Sequence, residues 1–149
     1  MSGKVEAGGP RCAFCAIATG EAEAHRVLAG SDVVAFLDRR PLFPGHVLLI
    51  PRAHVPTLGD LPASLLEPLF GQAQRLARAV ECAVGADGTF VAINNRVSQS
   101  VPHLHVHIVP RRRGDGLKGF FWPRRGYRDD AHAAQVCAAI RRALDGAEG

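Results

Sequence analysis

Between residues 100 and 110 three histidines, His103, His105 and His107, alternate with Leu104, Val106 and Ile108. A period of two belongs to a β-strand, whose successive side chains point to opposite faces. Residues 100–110 are therefore read as a strand, with the aliphatic set turned toward a core and the imidazoles on the other face. At about 3.3 Å per residue, neighbouring imidazoles would stand roughly 7 Å apart. On a helix the same residues would scatter around the axis and share no site. One exposed histidine is ordinary; three on one strand face are a chemical feature around which a chain is organised. An imidazole serves as metal ligand, general base or nucleophile, and the array alone leaves all three open.

The remaining chain supplies the frame. Residues up to Arg11 are rich in Gly and small side chains and read as a flexible leader (1–11), followed by a single domain over 12–149. Cys12–Thr19 reads as a short helical turn stopped by Gly20. Arg26–Ala29 and Val33–Leu37 read as strands joined by Gly30-Ser31-Asp32, and residues 47–50 as a buried strand closed by Pro51. Asp60 or Ser64 would cap a long helix with Leu65, Leu66, Leu69, Phe70, Ala73, Leu76, Ala77 and Val80 on its core-facing stripe. Thr89–Ile93 is a further strand, pairing with the histidine strand. Asp129 or Asp130 would cap a terminal helix. The fold class is α+β: a mainly antiparallel sheet with one long helix and a C-terminal helix.

Composition narrows the function. At 149 residues the chain is long enough for one substantial core. Its apolar runs, residues 47–50 among them, are all far too short to span a bilayer, so no membrane partner is expected. The first ten residues carry no apolar signal core, which argues against secretion and makes a cytoplasmic location the default. In a reducing compartment the four cysteines are thiols or metal ligands. Cys82 and Cys137 lie on helical stripes and read as small core residues. Of the net charge of +4, much lies within residues 111–128, suggesting a phosphate-bearing partner. That segment, with Phe120, Phe121 and Trp122, would cover a site, shape a leaving-group pocket or form a solvated tail. Its basic and aromatic mixture also occurs in single-strand nucleic-acid binders, but no nucleic-acid motif accompanies it, and no nucleic-acid partner is expected.

The sequence His103-Leu104-His105-Val106-His107-Ile108-Val109 matches the pattern His-φ-His-φ-His-φ-φ, with φ apolar. Cys12-Ala13-Phe14-Cys15, Ala35-Phe36-Leu37-Asp38, Pro44-Gly45-His46-Val47-Leu48-Leu49-Ile50-Pro51-Arg52-Ala53-His54, Asn94-Asn95 and Gln99-Ser100-Val101 follow the same family in order and spacing. The chain thus resembles the histidine-triad (HIT) family over roughly residues 12–128. The resemblance implies a HIT-like fold and a nucleotide hydrolase or transferase acting at the α-phosphorus of adenylyl or other purine nucleoside phosphate derivatives. His105 would be the nucleophile, transiently nucleotidylated, with its second ring nitrogen donating to a backbone carbonyl. His107 would face the phosphate oxygens, Ser100 would assist the leaving group, and backbone N–H groups around Gln99 would stabilise the transition-state charge. Asp38 resembles the ribose-binding position. Phe36, Phe14 and Ile17 would form the slot for the base, and one of Asn94 and Asn95, with strand alternation favouring Asn94, would reach the phosphate. A homodimer is implied by resemblance alone.

The Cys12-x-x-Cys15 spacing serves both redox and zinc sites; no βαβ unit follows it, as a thioredoxin-like site would need. In metal-containing members of the family the two cysteines join histidines equivalent to His54 and His103. This set suits structural, tetrahedral zinc. His46 reads as structural. The chain departs from the family in the loop before the histidines, where Asn94-Asn95-Arg96-Val97-Ser98-Gln99 is two residues short and Ser98 stands at the usual glycine. That loop and the segment Gly114-Asp115-Gly116-Leu117-Lys118-Gly119-Phe120-Phe121-Trp122-Pro123-Arg124 resemble a branch linked to adenylyl sulfate. Hydrolysis or phosphorolysis of adenylyl sulfate is thus one alternative, and a non-enzymatic nucleotide-binding scaffold is another. Substrate turnover separates the second from the rest.

Overall fold

A computed structural model describes residues 12–118 and 124–147. The leader and Phe120, Phe121 and Trp122 lie outside the described residues. The chain forms two compact units divided after Asp115, and each is taken by itself.

In the first unit, α1 (Ala13–Thr19) is capped by Cys12, whose Sγ accepts from the Cys15 N–H at 3.5 Å. It ends at Gly20, whose φ of 86° lies in the left-handed region that glycine tolerates. Strands β1 (Arg26–Ala29) and β2 (Val33–Leu37) form the expected hairpin, and β3 (Val47–Pro51) is buried along its whole length. The helix α2 (Leu66–Val84) precedes β4 (Gly88–Ile93) and β5 (Val106–Arg111). The five strands form one antiparallel sheet in the order β1-β2-β3-β5-β4.

Alternation along these strands divides the core into two layers. Val33, Ala35, Val47, Leu49, Leu104, Val106 and Ile108 pack with Leu69, Ala73, Leu76 and Val80 of α2. Val34, Phe36, Leu48 and Ile50 pack with Phe14, Ile17 and Ala18 of α1. A strand buried on both faces reads as an unbroken apolar run, which is why residues 47–50 show no alternation. The histidines share the α1 face: His107 pairs across the sheet with Leu48.

The structure corrects several expectations. The histidine strand begins at Val106, not Ser100. Upstream, the His103 N–H bonds the Val101 carbonyl at 2.8 Å and the Leu104 N–H bonds the Val55 carbonyl at 2.7 Å, so this backbone is held by loops rather than a ladder. The inward and outward alternation nevertheless continues, with Leu104 in the α2 layer. Neither Asp60 nor Ser64 caps α2, which follows a 3-10 turn through Leu65. Asp60 instead accepts from the Thr57 N–H and hydroxyl, at 3.1 and 2.6 Å. Leu66 and Phe70 are exposed, lying off the stripe set by Leu69, Ala73, Leu76 and Val80. Cys82 and Cys137 are exposed too, not core residues.

In the second unit, α3 (Asp130–Ala147) is capped as expected: Asp129 Oδ1 accepts the His132 N–H at 2.7 Å. Among the described residues no helix is long and apolar enough to cross a membrane.

Candidate functional site

His105 is the buried centre of the array, only 3% exposed. Its Nδ1 lies 2.7 Å from the His103 carbonyl oxygen. A carbonyl can only accept, so Nδ1 carries the proton and Nε2 keeps its lone pair. The Phe14 ring meets the imidazole edge-on, with centroids 5.0 Å apart. The His107 ring is 4.9 Å away, closer than the spacing of about 7 Å expected along a flat strand.

His107 is oriented by a residue that the sequence reading took as structural. His46 Nε2 lies 3.0 Å from His107 Nδ1, and His46 Nδ1 accepts the Leu42 N–H at 3.1 Å. A neutral imidazole has one N–H and one lone pair. The Leu42 N–H therefore places the His46 proton on Nε2, which donates to His107 Nδ1, which in turn leaves the His107 proton on Nε2. Burial pushes His46 below the ordinary histidine value despite the opposing pull of Asp38. Burial, with the neighbouring His105 and His46, pushes His107 down to about 4. The chain Leu42–His46–His107 thus holds two neutral rings in fixed tautomers. The site then presents a lone pair on His105 beside an N–H on His107.

Asp38 borders this chain, with Oδ2 3.7 Å from His46 Nε2 and Oδ1 accepting the Arg40 N–H at 2.9 Å. Asp38, His46 and His107 are close enough to bracket a cation. However, His46 cannot ligate through Nε2 while its Nδ1 lone pair is held by a backbone N–H, so this trio is a hydrogen-bond relay. Asp38 also forms one wall of a cavity of about 750 Å³, with Ile17 and Phe36 among its apolar lining. Phe14, Ile17 and Phe36 are core residues as well, all below a tenth exposed.

The loop between β4 and the histidines is braced internally. Gln99 Nε2 donates to the Pro56 carbonyl at 2.6 Å, and its Oε1 accepts the Arg96 N–H at 2.8 Å, which occupies both ends of the amide. Asn95 Oδ1 accepts the Leu58 N–H at 2.9 Å, so the half-buried Asn94 is the member of the pair left for other contacts. Ser100 is exposed. No hydrogen bond links Asn94 or Ser100 to the histidines among the described residues. Ser98, at the usual glycine, adopts φ 58° and Arg96 φ 69°, so the left-handed turns persist without glycine.

A second cluster lies behind the first. Cys12 Sγ, Cys15 Sγ, His54 Nδ1 and His103 Nδ1 converge. His54 and His103 are 3.2 Å apart, and the sulfur–nitrogen separations run 3.3 Å (Cys15–His54), 3.4 Å (Cys12–His103) and 3.5 Å (Cys15–His103). A tetrahedron with Zn–N near 2.0 Å and Zn–S near 2.3 Å has edges of about 3.3–3.8 Å, so the four donors fit zinc. His103 Nε2 donates to the Pro51 carbonyl at 2.8 Å, which turns the Nδ1 lone pair toward the cluster. Burial and the adjacent Cys12 push the Cys15 thiol up to about 11, while burial pushes His103 down to about 4. A bound dication would favour the thiolate and neutral imidazole forms that ligate it.

Fold and site together define an α+β protein with paired histidine relays on one sheet face and a Cys2His2 cluster beside them. Residues 19–114 match the HIT domain model, and the chain belongs to the HIT family. It is 42% identical over 108 residues to the uncharacterized HIT-like protein Rv1262c of Mycobacterium tuberculosis, covering 71% of this chain and 75% of that protein. It is 33% identical over 136 residues to adenylylsulfatase HINT3 of Arabidopsis thaliana, covering 89% and 69%. A zinc-bound histidine triad family protein from Mycobacterium smegmatis superposes with a TM-score of 0.68 at 37% identity, covering 91% of this chain and 96% of that one.

Proposed function

We propose that the protein is a nucleotide hydrolase or transferase that cleaves the α-phosphate bond of purine nucleoside phosphate derivatives through a nucleotidyl-His105 intermediate. The observation that carries this reading is the His105 Nδ1–His103 carbonyl hydrogen bond, which frees Nε2 for attack. In the first step Nε2 forms a bond to the α-phosphorus as the bond to the leaving group breaks, and the leaving group departs with the electron pair. The Nδ1–H to carbonyl bond disperses the positive charge of the phosphoimidazolium. His107, held as the Nε2–H tautomer by His46, donates to a phosphoryl oxygen. Ser100 assists the leaving group, and Asn94 contacts the phosphate. Water then attacks the same phosphorus and loses a proton to solvent, and Nε2 leaves with its lone pair restored.

Asp38 accepts from the ribose hydroxyls, and the cavity beside Ile17 and Phe36 takes the base. The zinc-bound relative supports zinc held by Cys12, Cys15, His54 and His103. Its role is structural: it pins α1 to the segment that presents His105. Homodimerisation belongs to the same reading, with β4 at one edge of the sheet and Val91 46% exposed there.

Incubation with an adenylyl phosphoramidate and quenching in mild alkali is expected to trap one adenylate on His105. The His105→Ala variant is expected to trap none; equal labelling of that variant would remove the mechanism. The named activity of the Arabidopsis relative favours adenylyl sulfate as the adenylyl donor, with sulfate as the leaving group. A panel of phosphoramidate, phosphosulfate and dinucleoside polyphosphate substrates, with and without added phosphate, identifies the leaving group and the acceptor.

A further inference from the structure

Seven residues make α1 too short to hold its own shape, since isolated helices under about 12 residues are marginal in water. Its last carbonyls lie beyond the reach of the helical N–H groups. Two arginines from outside the helix take them up. Arg52 Nη1 donates to the Ala18 carbonyl at 2.6 Å, and Arg26 Nη2 donates to the Ile17 carbonyl at 2.5 Å. Two guanidiniums at this end also complement the negative pole of the helix. Arg52 is itself fixed. Its Nε donates to the Gly30 carbonyl at 2.7 Å, in the turn between β1 and β2, and its backbone N–H bonds the Asp32 carbonyl at 2.8 Å. The carbonyl just before it, on Pro51, is the one that accepts from His103 Nε2 at 2.8 Å. One planar side chain thus ties the end of α1 to the β1–β2 turn, beside the carbonyl that orients the histidines. Neither Arg26 nor Arg52 has a part in the chemistry above.

We propose that Arg52 and Arg26 are positioning residues that set nucleotide affinity by holding the C-terminal end of α1 against the sheet. The proposal rests on the reading of the cavity beside Ile17 and Phe36 as the nucleoside site. The two gripped carbonyls belong to Ile17 and to the residue after it, so the Ile17 side chain on the cavity wall is fixed from both sides. Phe14, which meets His105, lies one turn earlier, between the two cysteines of the cluster. The two halves of the helix therefore serve different steps: the first adjoins the attacking ring, and the second walls the cavity. Freeing the second half leaves the hydrogen bond between His105 and the His103 carbonyl in place. A nucleotide must then dock the end of α1 as it binds, and its apparent affinity falls in proportion to the fraction of molecules already docked. Loss of a charge-assisted hydrogen bond makes that fall about tenfold. Arg26 counts for less, because the Gly20 N–H shares the Ile17 carbonyl at 3.2 Å.

The test is the equilibrium affinity for AMP, with kcat and KM for an adenylyl phosphoramidate, in the full-length wild type, Arg52→Ala, Arg52→Lys and Arg26→Ala. Arg52→Ala is expected to bind AMP about tenfold more weakly and to raise KM to match, with kcat within about twofold of wild type. Arg26→Ala should shift the same way by less. Lysine can meet one of the two carbonyls that Arg52 bridges but not both, so Arg52→Lys should fall between, and it carries the test if the alanine variant does not fold. Hydrogen exchange gives a second readout. The Gly20 and Ala22 amides, which bond the Ile17 and Ala16 carbonyls, should exchange about tenfold faster in Arg52→Ala and recover at saturating AMP, with the β3 amides unchanged. A fall in kcat at unchanged AMP affinity, or wild-type affinity in both Arg52 variants, overturns the positioning role and leaves the nucleotide reading standing. Exchange that quickens equally throughout the sheet marks a merely structural role and overturns it too. Failure of the wild type to bind AMP overturns both.

Discussion

The neutral pair of buried His46 and half-buried His107 makes acid a direct probe of the site. Burial and the neighbouring His105 and His46 hold His107 down at about 4, from an ordinary value of 6.5, while Asp38 pulls the other way. Between those two values the unfolded chain binds a proton at this ring that the folded chain refuses. Stability is then full above pH 6.5 and is lost as the pH falls toward 4. Solvent screening of this half-buried ring keeps the slope below the limit of about 1.4 kcal/mol per pH unit, at about 1 kcal/mol, so that crossing the window costs no more than roughly 2 kcal/mol. His46, depressed for the same reason, adds in the same direction. The assay is urea unfolding at pH 7, 6 and 5 for the wild type and for His107→Gln. The variant has one titrating ring fewer, so its slope should be shallower by about 1 kcal/mol per pH unit. His103 is common to both proteins and cancels in the comparison. Parallel slopes would refute a neutral, desolvated His107.

Two further outcomes follow from the packing and from the cluster behind the site. Gly45 has φ 100°, and a Cβ there would lie 3.1 Å from Val84 Cγ1 and 3.3 Å from Pro110 Cγ, so Gly45→Ala should destabilise by about 1–3 kcal/mol in chemical denaturation. Protein purified without chelator should carry about one zinc per chain by metal analysis, and stripping it should lower the melting temperature by roughly 10 °C; Cys15→Ser should bind little zinc and show no such drop.

The alternation of Leu104, Val106 and Ile108 with the three histidines was readable because a two-residue period survives even where the backbone leaves the sheet. The limits of the strand were not, because they depend on where the N–H groups of His103 and Leu104 find partners, in loops far along the chain. The exposure of Leu66 and Phe70 likewise depends on how α2 is rotated against the sheet, which its composition does not state. His46 was missed because its partner lies 61 positions away. A signal existed: His46 shares parity with Leu48 and Ile50, which face the same side of the sheet as the histidines. The expected role at Gln99 was for backbone N–H groups, and only the fold shows that both ends of its side-chain amide brace the loop.

The turns at Arg96 and Ser98 have a consequence for turnover. Left-handed backbone at two residues with a Cβ persists only where the surroundings over-determine it, and the Gln99 and Asn95 braces supply that constraint. The entropy of arranging this loop is therefore lost when the chain folds, not each time a ligand arrives. Such a loop meets every incoming molecule in the same shape. Glycine at Ser98 would relieve the torsional strain and give back some of that freedom, trading a preset entrance for a more forgiving one.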